Sequence, residues 1–145
     1  KKQLDVDLIL RNKLSYIESL FITNNFTKND ISIALKLVKD SITMLKESSD
    51  GRWISRSYLN DNSEAHYLME NEKNSNLLIP DRSFIENNIQ WVIDYKIPFQ
   101  PIKNLMIEAK KHHSQLNMYE NIFSKNSLVV RKAIYFAPQG KLITL

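Results

Sequence analysis

His112 and His113 are the residues that most invite a metal in this sequence, and the other chemically able groups are quickly counted. Adjacent residues on a helix point about 100° apart, so one ion does not readily take both rings. The third histidine, His66, is remote in sequence, and no cysteine exists to complete a site. Asp5 and Asp7 mimic a carboxylate pair, but residues two apart do not share a helix face. Serine, histidine and aspartate all occur without any nucleophile-elbow pattern to bring them together. Gly51 and Gly140 are the only glycines, which excludes the glycine-rich phosphate loops of the Walker and dinucleotide types. The residues therefore predict no catalytic constellation, no metal and no cofactor: a domain that is not itself an enzyme.

Charge placement is more informative. Residues 1–102 hold 13 Lys/Arg against 14 Asp/Glu, whereas residues 103–145 hold 7 against 2, a net of +5 within a chain of net +4. Lysine and arginine concentrated on one helix and an adjoining hairpin suit phosphate contacts, which supply most non-specific affinity for nucleic acid. The candidates are Lys103, Lys110, Lys111 and His113 on the helix, and Arg131, Lys132 and Lys141 on the hairpin. A lysine-rich helix that is simply solvated accounts for the same charges. Among the aromatics, Trp91 and Tyr119 sit at core spacing, while Tyr135 and Phe136 alternate on a strand, so that one of them could meet a base.

Those residues need elements to position them. Leu10, Leu14, Ile17 and Phe21 predict an amphipathic helix over residues 4–22. Thr27 to Asp30 caps a second helix with the stripe Ile31, Ala34, Leu35, Val38, Ile42 and Leu45, stopped at Ser48–Gly51, where Gly51 would take a positive φ. Trp53-Ile54 and Tyr58-Leu59 read as a short strand and turn. Ala65–Met69 and Leu77–Ile79 predict a hairpin with a polar tip. Phe84, Ile85, Ile89, Trp91, Val92 and Ile93 read as a buried helix that Asp81 or Ser83 would cap. A helix from Pro101 to about His113 follows, extended or succeeded through Leu116, Tyr119, Ile122 and Phe123, and Leu128–Leu145 closes the chain as a second hairpin around Pro138 and Gly140. The sum is an α+β, mostly helical, winged-helix-like single domain over residues 1–145 with two small β-hairpins. No apolar run is long enough for a membrane span and no cysteine appears, so a cytoplasmic setting is expected. Lys1 in place of Met suggests a piece of a longer protein.

The run Leu59-Asn60-Asp61-Asn62-Ser63-Glu64-Ala65-His66-Tyr67, then Leu77-Leu78-Ile79-Pro80 and Phe84, resembles the C-terminal winged-helix domain of the large relaxases of integrating conjugative elements and genomic islands. Lys111-His112-His113, Asn126-Ser127-Leu128-Val129-Val130 and Gly140-Lys141-Leu142 extend the resemblance, which covers roughly residues 30–145 and leaves residues 1–25 as an additional helix. It implies a nucleic-acid-binding module of a DNA-processing protein of conjugative transfer on mobile genetic elements. DNA, double- or single-stranded, would be the partner, and catalysis would lie elsewhere in the parent chain. The alternative is a protein-interaction or homodimerisation module without DNA binding, with Tyr58, Leu68, Met69, Tyr135 and Phe136 as its apolar patch.

Overall fold

The computed structural model describes residues 6–71, 74–124 and 128–145. The chain packs as two compact units, one formed by Lys1–Ser55, Ile97–Pro101 and Ala137–Lys141, the other by Arg56–Lys96, Ile102–Phe136 and Leu142–Leu145. No helix among the described residues is long and apolar enough to cross a membrane.

The first unit is helical: α1 (Val6–Thr23), α2 (Lys28–Glu47) and α3 (Ser49–Ile54). Thr27 caps α2 as its position predicts, its hydroxyl accepting from the Asp30 amide at 3.2 Å. Ser48 serves two helices at once. Its hydroxyl donates to the Met44 carbonyl at the end of α2 and accepts from the Gly51 amide at the start of α3. Gly51 is therefore helical, and the expected positive-φ stop is corrected. A Cβ there would fall 2.1 Å from the Met44 carbonyl oxygen, so glycine is required by close approach. Trp53-Ile54 likewise belongs to α3 and not to a strand.

The second unit is built on a five-stranded mixed sheet in the order β1 (Leu59–Ser63), β4 (Arg82–Glu86), β5 (Ile89–Lys96), β6 (Val129–Phe136), β7 (Lys141–Thr144). The hairpin expected around residues 65–79 exists as a separate two-stranded sheet, β2 (Tyr67–Asn71) with β3 (Asn74–Leu78); part of its predicted tip lies outside the described residues. β1 and β5 run antiparallel to β4, and β6 runs parallel to β5. A parallel pair needs a long crossover, and α4 (Leu105–Lys110) and α5 (His113–Phe123) provide it.

This sheet overturns the winged-helix expectation. The predicted recognition helix is only the six-residue α4, and the predicted wing is two strands of the main sheet. The predicted helix across Phe84–Ile93 is the β4–β5 hairpin. A strand buried on both faces reads as a continuous apolar run, which by periodicity is hard to tell from a buried helix. Asn87 and Asn88, with φ of 51° and 62°, supply the two left-handed residues of a type I′ turn. Asn88→Gly, the residue this turn prefers at its second centre, should raise stability by about 0.5 kcal/mol in thermal unfolding. An unchanged or lower Tm would contradict the turn assignment.

Alternation along the strands sets the layers. Val92 on β5 and Ile134 and Phe136 on β6 join Leu78, Ala109, Leu116, Tyr119 and Phe123 in one core beneath α4 and α5. Trp91, Ile93, Ala133 and Tyr135, from the same strands, and Phe84 on β4 are also buried.

Candidate active site

The two-residue turn at Asn87-Asn88 fixes what lies across the β4–β5 hairpin. Pairing runs from Glu86↔Ile89 to Arg82↔Ile93, so the next positions out, Asp81 and Asp94, come opposite each other at the far end. Residues opposite in an antiparallel pair share a face, as do residues two apart on a strand. Asp81, Asp94 and Lys96 thus meet on one face. It is the face of Val92, which α5 covers.

The contacts are specific. The Tyr95 amide donates to Asp81 Oδ2 at 2.6 Å. Lys96 Nζ lies 2.6 Å from Asp94 Oδ2, with the Asp94 side chain only 5% exposed. That oxygen is fully buried, and among the described residues the Lys96 ammonium is the polar group that meets it. From α5, Gln115 Nε2 donates to Asp94 Oδ1 at 3.4 Å and to the Tyr119 hydroxyl at 3.0 Å, and that hydroxyl donates to the Ile79 carbonyl at 3.2 Å. Gln115 and Tyr119 are four apart, so one helical turn brings both to the site.

Electrostatics agree with this convergence. Burial pushes the Asp81 carboxyl above the usual carboxylate range; the Tyr95 amide works against this, Asp94 adds to it, Lys96 opposes it and Glu64 adds to it. Burial also pushes the Tyr119 phenol up, which keeps it a neutral donor. Glu64 follows β1, has a φ of 51°, and its amide donates to the Asp81 carbonyl at 3.1 Å.

β4 is held in place by Arg82, the neighbour of Asp81. Its guanidinium makes a two-point contact with Asp61 on β1, Nε to Oδ1 at 2.8 Å and a terminal nitrogen to Oδ2 at 2.6 Å, and also reaches the Arg56 carbonyl at 2.7 Å. It lies over the rings of Tyr58 and Phe84, which stack at 4.1 Å. The Arg82 hydrogen bonds hold the Asp61 carboxyl below its usual range.

The residues predicted to contact phosphate are placed unequally. Lys103, before α4, and Lys110, at its end, are exposed; Lys111 is exposed and paired with Glu108 at 2.6 Å; His113 opens α5 and is exposed. Arg131 is exposed on β6, 5.8 Å from the Trp91 ring centre, and Lys141 is exposed on β7. Lys132 differs. It shares the face of Ile134 and Phe136, is 8% exposed, and binds Glu120 and, at 2.7 Å, Asn117 of α5. Of the predicted apolar patch, Tyr135 and Phe136 are fully buried and Tyr58 is half-buried in the Arg82 stack. The side chains of Leu68 and Met69 lie outside the description.

Asp81, Asp94, Lys96, Gln115 and Tyr119 were not among the residues that sequence reasoning singled out as a site. The available signal was the pair Asn87-Asn88 between two apolar runs. Read as a turn, it sets Pro80-Asp81 against Asp94-Tyr95-Lys96. No protein-family model matches this chain, and no curated protein matches it.

Proposed function

We propose that the second unit is the catalytic core of a divalent-cation-dependent phosphodiester hydrolase acting on nucleic acid. The observation that carries this reading is the convergence of Asp81, Asp94 and Lys96, with a buried Asp94 oxygen met by the Lys96 ammonium alone among the described residues. Among the described residues no group of three acidic or histidine side chains could hold an ion. Magnesium typically takes one or two carboxylates from a protein and completes its shell with waters and substrate phosphate, so two carboxylates suffice for it. A structural site would instead enclose its ion in protein ligands. Asp81 and Asp94 would hold the cation. Bound there, it supplies charge for a phosphoryl oxygen and lowers the pKa of a water.

The chain's own groups do the rest. Gln115 and Tyr119 fix the orientation of Asp94 through its Oδ1. Lys96, 30% exposed at the side chain, would offer its ammonium to a substrate phosphate. Lys103, Lys110, Lys111 and His113 are exposed around α4 and α5 and suit backbone phosphates; Arg131 is exposed on the opposite sheet face, and Lys132, paired inside, braces α5 against the sheet. The basic C-terminal third favours DNA or RNA over a small phosphodiester.

The test incubates the protein with linear and circular DNA, single- and double-stranded, and with RNA, in magnesium or manganese. Cleavage that EDTA abolishes and added cation restores is the expected result. Salt-dependent binding with no cleavage of any of these substrates would return the domain to a purely binding role.

A further inference from the structure

Resting on that metal-dependent reading, we infer that Lys96 is a built-in stand-in for the cation, holding the Asp94 carboxylate until the ion displaces it. Asp94 has two oxygens with different fates. Oδ1 accepts from Gln115 on α5, whereas Oδ2, among the described residues, faces the Lys96 ammonium alone, 2.6 Å away. The carboxylate is almost wholly buried, and an isolated buried charge is costly enough that a protein either pairs it or neutralises it. Without a cation, the lysine does the pairing.

A divalent ion on Oδ2 would place two positive centres on one oxygen at close range. The lysine is the one that yields, because its side chain is flexible and partly exposed, so its ammonium can turn to water or phosphate. Asp94 has no such freedom, because Gln115 holds its other oxygen and Tyr119 in turn holds Gln115. The exchange therefore has a direction: cation in, ammonium out. It also explains why Asp94 and Lys96 stand two apart on β5. Their side chains share a face, close enough to pair yet on separate backbone positions, so the lysine can move without moving the carboxylate. The arrangement makes the ammonium available to substrate only once the cation is seated, and it weakens cation affinity by the strength of the ion pair it replaces.

The probe is manganese or magnesium alone, titrated calorimetrically into the intact protein without nucleic acid. Lys96→Met keeps the length and the apolar stem but removes the competitor, so its affinity for manganese should rise on the order of ten-fold or more while cleavage is lost. In wild-type protein, the Lys96 Cε resonance, assigned by comparison with the variant, should shift when magnesium saturates the site. A Lys96→Met protein that is folded and binds manganese no tighter than wild type overturns the inference. So does a Lys96 resonance that saturating magnesium leaves in place, because ion and lysine would then share the carboxylate. Asp94→Asn separates the two levels of the argument. If wild type binds no manganese that this substitution removes, the metal-dependent reading itself fails, and the inference falls with it.

Discussion

Asp94→Asn should lower cation-dependent cleavage by at least about 10²–10³-fold, the loss typical when one preorganised electrostatic group is removed from a catalytic centre. Asparagine keeps the size of the side chain and the oxygen that Gln115 contacts, but it removes the charge that an ion and Lys96 compete for. Asp81→Asn, which removes the other carboxylate proposed to hold the cation, should lose activity to a similar extent and should also raise stability. Its amide oxygen still accepts from the Tyr95 amide, while a half-buried carboxylate beside Asp94 is gone. Burial raises the Asp81 pKa in the folded state above its unfolded value, with Asp94 adding to the shift. The stability linked to its protonation is fully present below the unfolded pKa and is lost as pH rises through the folded one. At neutral pH the ionised group therefore works against folding. Asp81→Asn should melt higher than wild type at pH 7 and lose that advantage as pH falls toward the carboxylate range. Melting curves at several pH values beside cleavage assays check both halves. An Asp81→Asn protein that is less stable at pH 7 would show that this carboxylate braces the fold and is not held there at a cost for function.

Much of the helical unit was legible because its signals are local. Thr27 and Asp30 cap α2 across three residues, and the stripe from Ile31 to Leu45 has the period of the helix it forms. The sheet was not, because its signals are relational. Ile89–Lys96 is buried along most of its length, so no polar alternation marks it as a strand. Lys132 looked like a DNA contact because it is a lysine in a basic region. Its face follows from the register of β6 against β5, and that register depends on a crossover of more than thirty residues. The site was hidden for the same reason. Thirteen positions separate Asp81 from Asp94, and only the type I′ turn between them brings the two carboxylates across from each other. The basic charge of the last third, by contrast, needs no pairing to be read, and it supports the proposal of a nucleic-acid partner even though the winged helix that first suggested it is absent.

The largest loss of stability is expected from Asp61→Ala, which leaves Arg82 without its carboxylate. The Arg82 side chain is 11% exposed and that of Asp61 26%, and two parallel hydrogen bonds join them. Removing one partner of a buried pair costs about 3–5 kcal/mol, and the partial exposure of Asp61 brings the expectation to about 3 kcal/mol, a fall in Tm of roughly 10 °C. The Arg56 carbonyl and the Tyr58 and Phe84 rings cannot replace the lost charge, though they soften the loss. The pH dependence has the opposite sign from that of Asp81. Arg82 holds the folded pKa of Asp61 below its unfolded value, so the pair stabilises the protein above the unfolded pKa, and that contribution is lost as pH falls through the folded one. Wild type and Asp61→Ala should therefore converge in stability in strong acid. Replacing both residues by apolar ones, Asp61→Leu with Arg82→Met, should cost less than Asp61→Ala alone, because no charge is then left buried without a partner. If Asp61→Ala melts within a degree or two of wild type at pH 7, the clamp is a surface contact. The alignment of β4 that sets Asp81 against Asp94 must then come from the hairpin turn alone.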